Sequence, residues 1–131
     1  MRVGKFGAED GQGMVEFAIV GGVLCALLIG IVEFGLANWS RNSAASDARE
    51  GARYAIVHGS RSTSVADSAA VATFVQSKSS LGSSIRVRTV WPTNKDPGSA
   101  VKVSVAYSVP RRGFFLPAHT DSATSTMHIV Y

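Results

Sequence analysis

Hydrophobic and polar positions divide the chain into three regimes. Of the 21 residues at positions 17–37, 16 are apolar, four are glycine and one, Glu33, is charged. A run with no polar face predicts a helix, and at about 1.5 Å per residue it reaches about 31 Å, the thickness of a bilayer's hydrocarbon core. Residues 42–57 contain no proline, and Ala44, Ala45, Ala48, Ala52, Ala55 and Ile56 fall mostly on one helical face. The helix is therefore expected to continue outward, covering residues 12–58 with an apolar first half and an amphipathic second half. His58-Gly59-Ser60 ends it.

Beyond that point Ser64-Val65-Ala66-Asp67 has the form of a capping box. Val65, Ala69, Ala72 and Val75 then predict a short second helix running to about Lys78. After Gly82 the period changes from helical to alternating. Ile85, Val87, Thr89 and Trp91 form one set, Val101, Val103, Val105, Tyr107 and Val109 a second, and Met127, Ile129 and Tyr131 a third. Three half-buried strands follow, with residues 94–98, next to Pro92 and containing Pro97, as the turn between the first two. Residues 110–117 form a loop carrying Phe114 and Phe115, and His119 and Asp121 fall in loop sequence as polar turn residues. The predicted architecture is α+β: a long helix, a short helix and a small antiparallel three-stranded sheet, the sheet part occupying residues 59–131.

Composition sharpens this outline. Of 131 residues 46% are hydrophobic and 17% charged, and the apolar excess is concentrated in the one helix. A single cysteine, Cys25, rules out an intramolecular disulfide and a cysteine zinc site, and inside the apolar run it is a small hydrophobe. After residue 37 there are 11 Lys and Arg against five Asp and Glu, a balance of +6 within a whole-chain charge of +4. The basic residues are scattered and not interleaved with aromatics, so they describe a solvated face and no nucleic-acid platform.

The apolar run has several possible roles. As the buried helix of a globular core it would need more apolar covering than some 90 Ser- and Thr-rich residues supply. As a secretory signal it has Arg2 and Lys5 in front and the small triplet Gly35-Leu36-Ala37 behind, but Glu16 and Glu33 interrupt what should be a shorter, uncharged stretch. Basic residues flank both ends, Arg41, Arg49 and Arg53 on the far side, so charge leaves the orientation open.

Immediately before the run stands Gly11-Gln12-Gly13-Met14-Val15-Glu16-Phe17. A glycine followed five residues later by Glu-Phe and then by a hydrophobic helix resembles a prepilin peptidase site. The resemblance implies a cut between Gly11 and Gln12, residues 1–11 as leader, and Glu16 as fifth residue of the mature chain. Together with Gly30-Ile31-Val32-Glu33-Phe34-Gly35 and Ala48-Arg49-Glu50-Gly51-Ala52-Arg53, the motif resembles the TadE-like family, minor pilins or pseudopilins of tight adherence pilus machines. The similarity is dense over about the first 58 residues and implies a pilin-like fold with a small β-domain. Family helices often carry a proline in the second turn after the Glu-Phe pair, where this chain has Gly21-Gly22.

The residues carry a physical reading of their own. A carboxylate at the edge of the hydrocarbon costs on the order of 2 to 3 kcal/mol, so Glu16 needs a partner. Cleavage after Gly11 would supply one, the new α-amine of Gln12, in the same chain or the next subunit. Glu16 otherwise marks the interface and favours a helix N-terminus. Glu33, 17 residues on and about 25 Å away, lies near the opposite membrane face, where it either snorkels to headgroups or contacts another helix. Between them Ala18, Gly22, Ala26 and Gly30 form a small-xxx-small stripe that lets another helix approach closely.

No nucleophile, metal or phosphate motif accompanies His58, His119 or His128, so the expectation is no enzyme, no cofactor, no metal and no small-molecule substrate. The expected function is a minor pilin or pseudopilin of a tight adherence, type IV-like pilus system. It would be single-pass in the plasma membrane, with the N-terminus cytoplasmic and residues after 38 periplasmic or extracellular. Its partners would be the membrane, a prepilin peptidase and other pilus subunits through the helix. The alternative is an uncleaved single-pass anchor displaying a small β-domain for an extracytoplasmic partner.

Overall fold

A computed structural model describes residues 8–111, 113 and 115–130; the side chains of residues 8–10 and 83 are not described. Most of the expected leader, with Arg2 and Lys5, and also Phe114 and Tyr131, lie outside the described residues.

One helix, α1, runs unbroken over Ala8–Val57, passing through Gly21-Gly22 without interruption. A second helix, α2, covers Ser68–Lys78, and three strands follow: β1 at Ile85–Val90, β2 at Ala100–Val109 and β3 at His119–His128. The strands form one antiparallel sheet in the order β1-β2-β3, with Val87 opposite Val105 and Val105 opposite Ala123. Both helices pack on one face of this sheet, α1 against β2 and β3 and α2 against β1.

The core lies where these layers meet. From α1 come Ala44, Ala48, Ala52 and Ala55, all essentially inaccessible, and from α2 Val71 and Val75. The sheet contributes Val101, Val103 and Val105, the alternate residues of β2. Small residues on α1 bring its backbone close to the sheet, and the valines fill the space between. Each buried valine contributes about 1.5 to 3 kcal/mol. Tyr54 stacks on Phe74 at 4.3 Å between ring centroids, joining the two helices. The outward face of the sheet is polar: Arg86, Arg88 and Lys102 are exposed, and Ser104 and Thr124 hydrogen-bond across strands at 2.9 Å.

Two boundaries differ from the sequence expectation. Ser64 does not cap α2; Asp67 does, its carboxylate accepting from Ala70 N at 2.7 Å, and the helix starts at Ser68. The buried stripe shifts accordingly to Val71 and Val75, leaving Val65 half exposed. The third strand begins at His119, far ahead of Met127, so His119 and Asp121 belong to β3 and not to a loop. Its inward positions Asp121, Ala123 and Ser125 carry little apolar signal because the alanine face of α1 lies against this strand.

Thr89 on β1 is buried, and its hydroxyl is the one buried side-chain polar atom among the described residues with no hydrogen-bond partner. Thr89→Val keeps the shape and removes the unsatisfied group. It should raise stability by about 1 kcal/mol, read as a higher denaturation midpoint at unchanged slope.

Candidate functional site

Two regions of α1 carry the chemistry singled out in the sequence. The first is the apolar half. Gly11, Gln12, Glu16 and Phe17 all lie on the helix and are exposed, as are Ala18, Gly22 and Ala26, while Gly30 is half-buried. The 18-residue window that qualifies this helix as a membrane span has a mean hydropathy of 2.5 and none of it is buried within the chain. Leu24, Leu27, Ile31 and Phe34 are more than half exposed. So much bare apolar surface on a regular helix is stable in lipid or against other helices, not in water. One helix long and apolar enough to cross a membrane is thus present, near the N-terminus.

The small-residue stripe has a relation to the fold that spacing along 18–30 alone does not reveal. At 100° per residue, Gly22, Ala26, Gly30, Glu33, Ala37, Ser40 and Ala44 fall within about 40° of one line. The upper part of that line is the seam on which the sheet packs. The lower part is open: a Cβ added at Gly22 or Gly30 would meet nothing. The face that docks the chain's own sheet therefore continues into the apolar half with no occupant from the described residues.

The second region is the junction between helix and sheet. Here the loop between β2 and β3 descends along α1 to Glu33. The Glu33 carboxylate accepts from Phe115 N and from Leu116 N, each at 3.0 Å from Oε2. Gly113 lies so close that a Cβ there would overlap the carboxylate. Glycine permits that approach because it has no Cβ. Of the two roles open to Glu33 from sequence, snorkelling or contact with another helix, neither includes this one: it holds the chain's own loop. Leu36, Trp39, Val109, Pro110, Leu116 and Pro117 enclose an apolar cavity of about 100 Å³ beside it.

Two turns above Glu33, Ser40 is buried and its hydroxyl lies 2.6 Å from Asp121 Oδ2 and 2.9 Å from the carbonyl of Ala37. Arg41 Nε donates to Asp121 Oδ1 at 3.0 Å, and His119 Nε2 stands 3.5 Å from Oδ2. Burial desolvates Asp121 and pushes its carboxyl upward. The Ser40 and Arg41 hydrogen bonds, with the charge of Arg41 and the imidazolium form of His119, outweigh that and hold it below the ordinary carboxylate value. The serine donates to the aspartate and not to the histidine, so the group lacks the order that activates a nucleophile. It is a clasp fastening β3 to α1. Ser40, Arg41 and Asp121 escaped the sequence reading because no local pattern links residues about 80 positions apart.

No curated protein and no solved structure matches the chain. Residues 11–53, from the glycine of the Glu-Phe motif through the apolar span and into the amphipathic half of α1, match the family model described as TadE-like protein, and over this third of its length the chain is similar to that family.

Proposed function

We propose that this chain is a minor pilin or pseudopilin of a tight adherence, type IV-like pilus assembly system, cut between Gly11 and Gln12 by a prepilin peptidase. The observation that carries the reading is the single helix α1, which joins a largely exposed apolar half bearing Glu16 to an alanine-faced half that seats a small sheet. The TadE-like match covers the same helix. An apolar half without a covering is what a subunit needs if it is stored in a bilayer and passed to a helical bundle. The open seam of Gly22, Ala26 and Gly30 gives a neighbouring subunit's helix a close path.

Glu16 is exposed at the start of the apolar run, 17 residues before Glu33. In a bundle of such helices its charge needs neutralising, and the α-amine freed on Gln12 by cleavage provides it, fixing the axial register between neighbours. The leader stays cytoplasmic in this reading, and residues 59–131 lie outside the plasma membrane. The chain acts by binding and assembly, with no catalytic step, cofactor or small-molecule substrate.

The test is expression of the full chain with and without a prepilin peptidase, followed by intact mass measurement. Cleavage should remove the mass of residues 1–11, and Gly11→Val should stay full length. An unchanged N-terminus in the presence of active peptidase would overturn the processed-pilin reading in favour of an uncleaved anchor.

A further inference from the structure

We infer that the loop between β2 and β3 is a lipid-contacting finger: Phe115 and Leu116 enter the outer leaflet beside α1, and Glu33 pins the loop there through its backbone. This rests on the reading of residues 17–37 as a membrane span.

Glu33 lies four residues before the end of the span, so it sits about 6 Å inside the apolar boundary. Whatever is hydrogen-bonded to its carboxylate sits at the same level. Phe115 N and Leu116 N are hydrogen-bonded to it, which places the loop backbone at that depth, just inside the boundary between acyl chains and headgroups.

Satisfaction of polar groups points the same way. Irregular backbone at membrane depth needs acceptors for its N–H groups, and an intramembrane carboxylate needs donors. The loop and Glu33 supply each other. Gly113 makes the approach possible, since any side chain there would meet the carboxylate.

The side chains at this level match a lipid environment. Phe115 is 58% exposed and Leu116 is 37% exposed, although a loop in water would be expected to turn such residues inward. Trp39, half exposed at the same end of the span, has the amphipathic ring enriched at membrane interfaces. Arg111 is exposed beside the loop, in reach of lipid phosphates, while Arg41 above it is tied to Asp121. Two apolar side chains at the tip with the exposed Arg111 behind them suit a headgroup layer.

The test is depth-resolved fluorescence of the full chain in phosphatidylcholine and phosphatidylglycerol vesicles. Phe115→Trp is made in a background carrying Trp39→Phe and Trp91→Phe, and Leu27→Trp in the same background reports on the span. Tryptophan at 115 should emit to the blue, resist aqueous iodide, and be quenched more by lipids brominated near the headgroup than by those brominated near the chain end. Adding Glu33→Ala should raise iodide quenching at 115 several-fold while leaving position 27 unchanged. Position 27 quenched by deep bromines with position 115 open to iodide would overturn the finger and leave the span intact. Position 27 unquenched by any bromolipid would overturn the span itself. Shielding of 115 from iodide without quenching by bromolipid would mean a protein covers the loop, and would also overturn the proposal.

Discussion

Replacing Gly51 by leucine is expected to destabilise the sheet domain by about 3 kcal/mol, the upper end of the usual overpacking cost. Gly51 is buried in α1 at the point where both helices and the sheet converge. A Cβ built there would lie 2.7 Å from Val75 Cγ2 and 3.1 Å from Val103 Cγ1. Valine is stiff about χ1, so neither neighbour can turn aside without leaving its rotamer well. Alanine at the same position gains about 1 kcal/mol of helix propensity, which offsets part of the clash; leucine adds three more carbons with nowhere to go. The measurement is hydrogen exchange of the β2 amides in the full chain in lipid. A loss of about 3 kcal/mol speeds exchange from global opening by about two orders of magnitude. Gly22→Leu, at a glycine whose surroundings are open, should leave β2 exchange unchanged. Equal exchange in the wild-type and Gly51→Leu chains would contradict the close three-way packing.

The contrast between Gly51 and Gly22 also shows what could be read from the residues alone. The apolar run, its extension through Ala44 and Ala48, and the alternation in β2 were visible because each repeats a period fixed by local geometry. The Glu-Phe motif was visible for the same reason: it is contiguous. The start of α2 was misplaced because Ser64 and Asp67 both have capping side chains, and only the chain path decides which one meets a free N–H. The extent of β3 was missed because its inward residues face a helix that offers alanine, so burial there selects for small size and not for hydrophobicity. The role of Glu33 was out of reach: a carboxylate in an apolar run announces a need for partners, but the partners are backbone N–H groups over 80 residues away, and amides carry no sequence signature.

Asp121→Ala should cost about 2 kcal/mol at neutral pH and should remove a pH dependence that the wild-type chain shows in acid. Asp121 is 4% exposed and Ser40 is 3% exposed, so their hydrogen bond is shielded from water. A bond from a hydroxyl to a carboxylate in such a place contributes about 1.5 to 3 kcal/mol. Arg41, whose side chain is 70% exposed, adds little, because a pair with one end in solvent is screened and gives up side-chain entropy. The direction of the acid effect follows from the depressed carboxyl. A group that binds its proton more weakly folded than unfolded contributes stability that is fully present above the unfolded value near 3.9. That contribution is lost as pH falls through the lower folded value. The gap between wild type and Asp121→Ala should therefore stay constant from neutral pH down to about 5 and close below about 4. Denaturant unfolding at a series of pH values, followed by Trp91 fluorescence, measures it; a gap that persists undiminished in strong acid would show that the lost stability was packing and not the charge. Arg41→Gln should reproduce only a small fraction of the neutral-pH loss, and Ser40→Ala most of it, because the buried hydroxyl and not the exposed guanidinium holds the first turn beyond the span against β3.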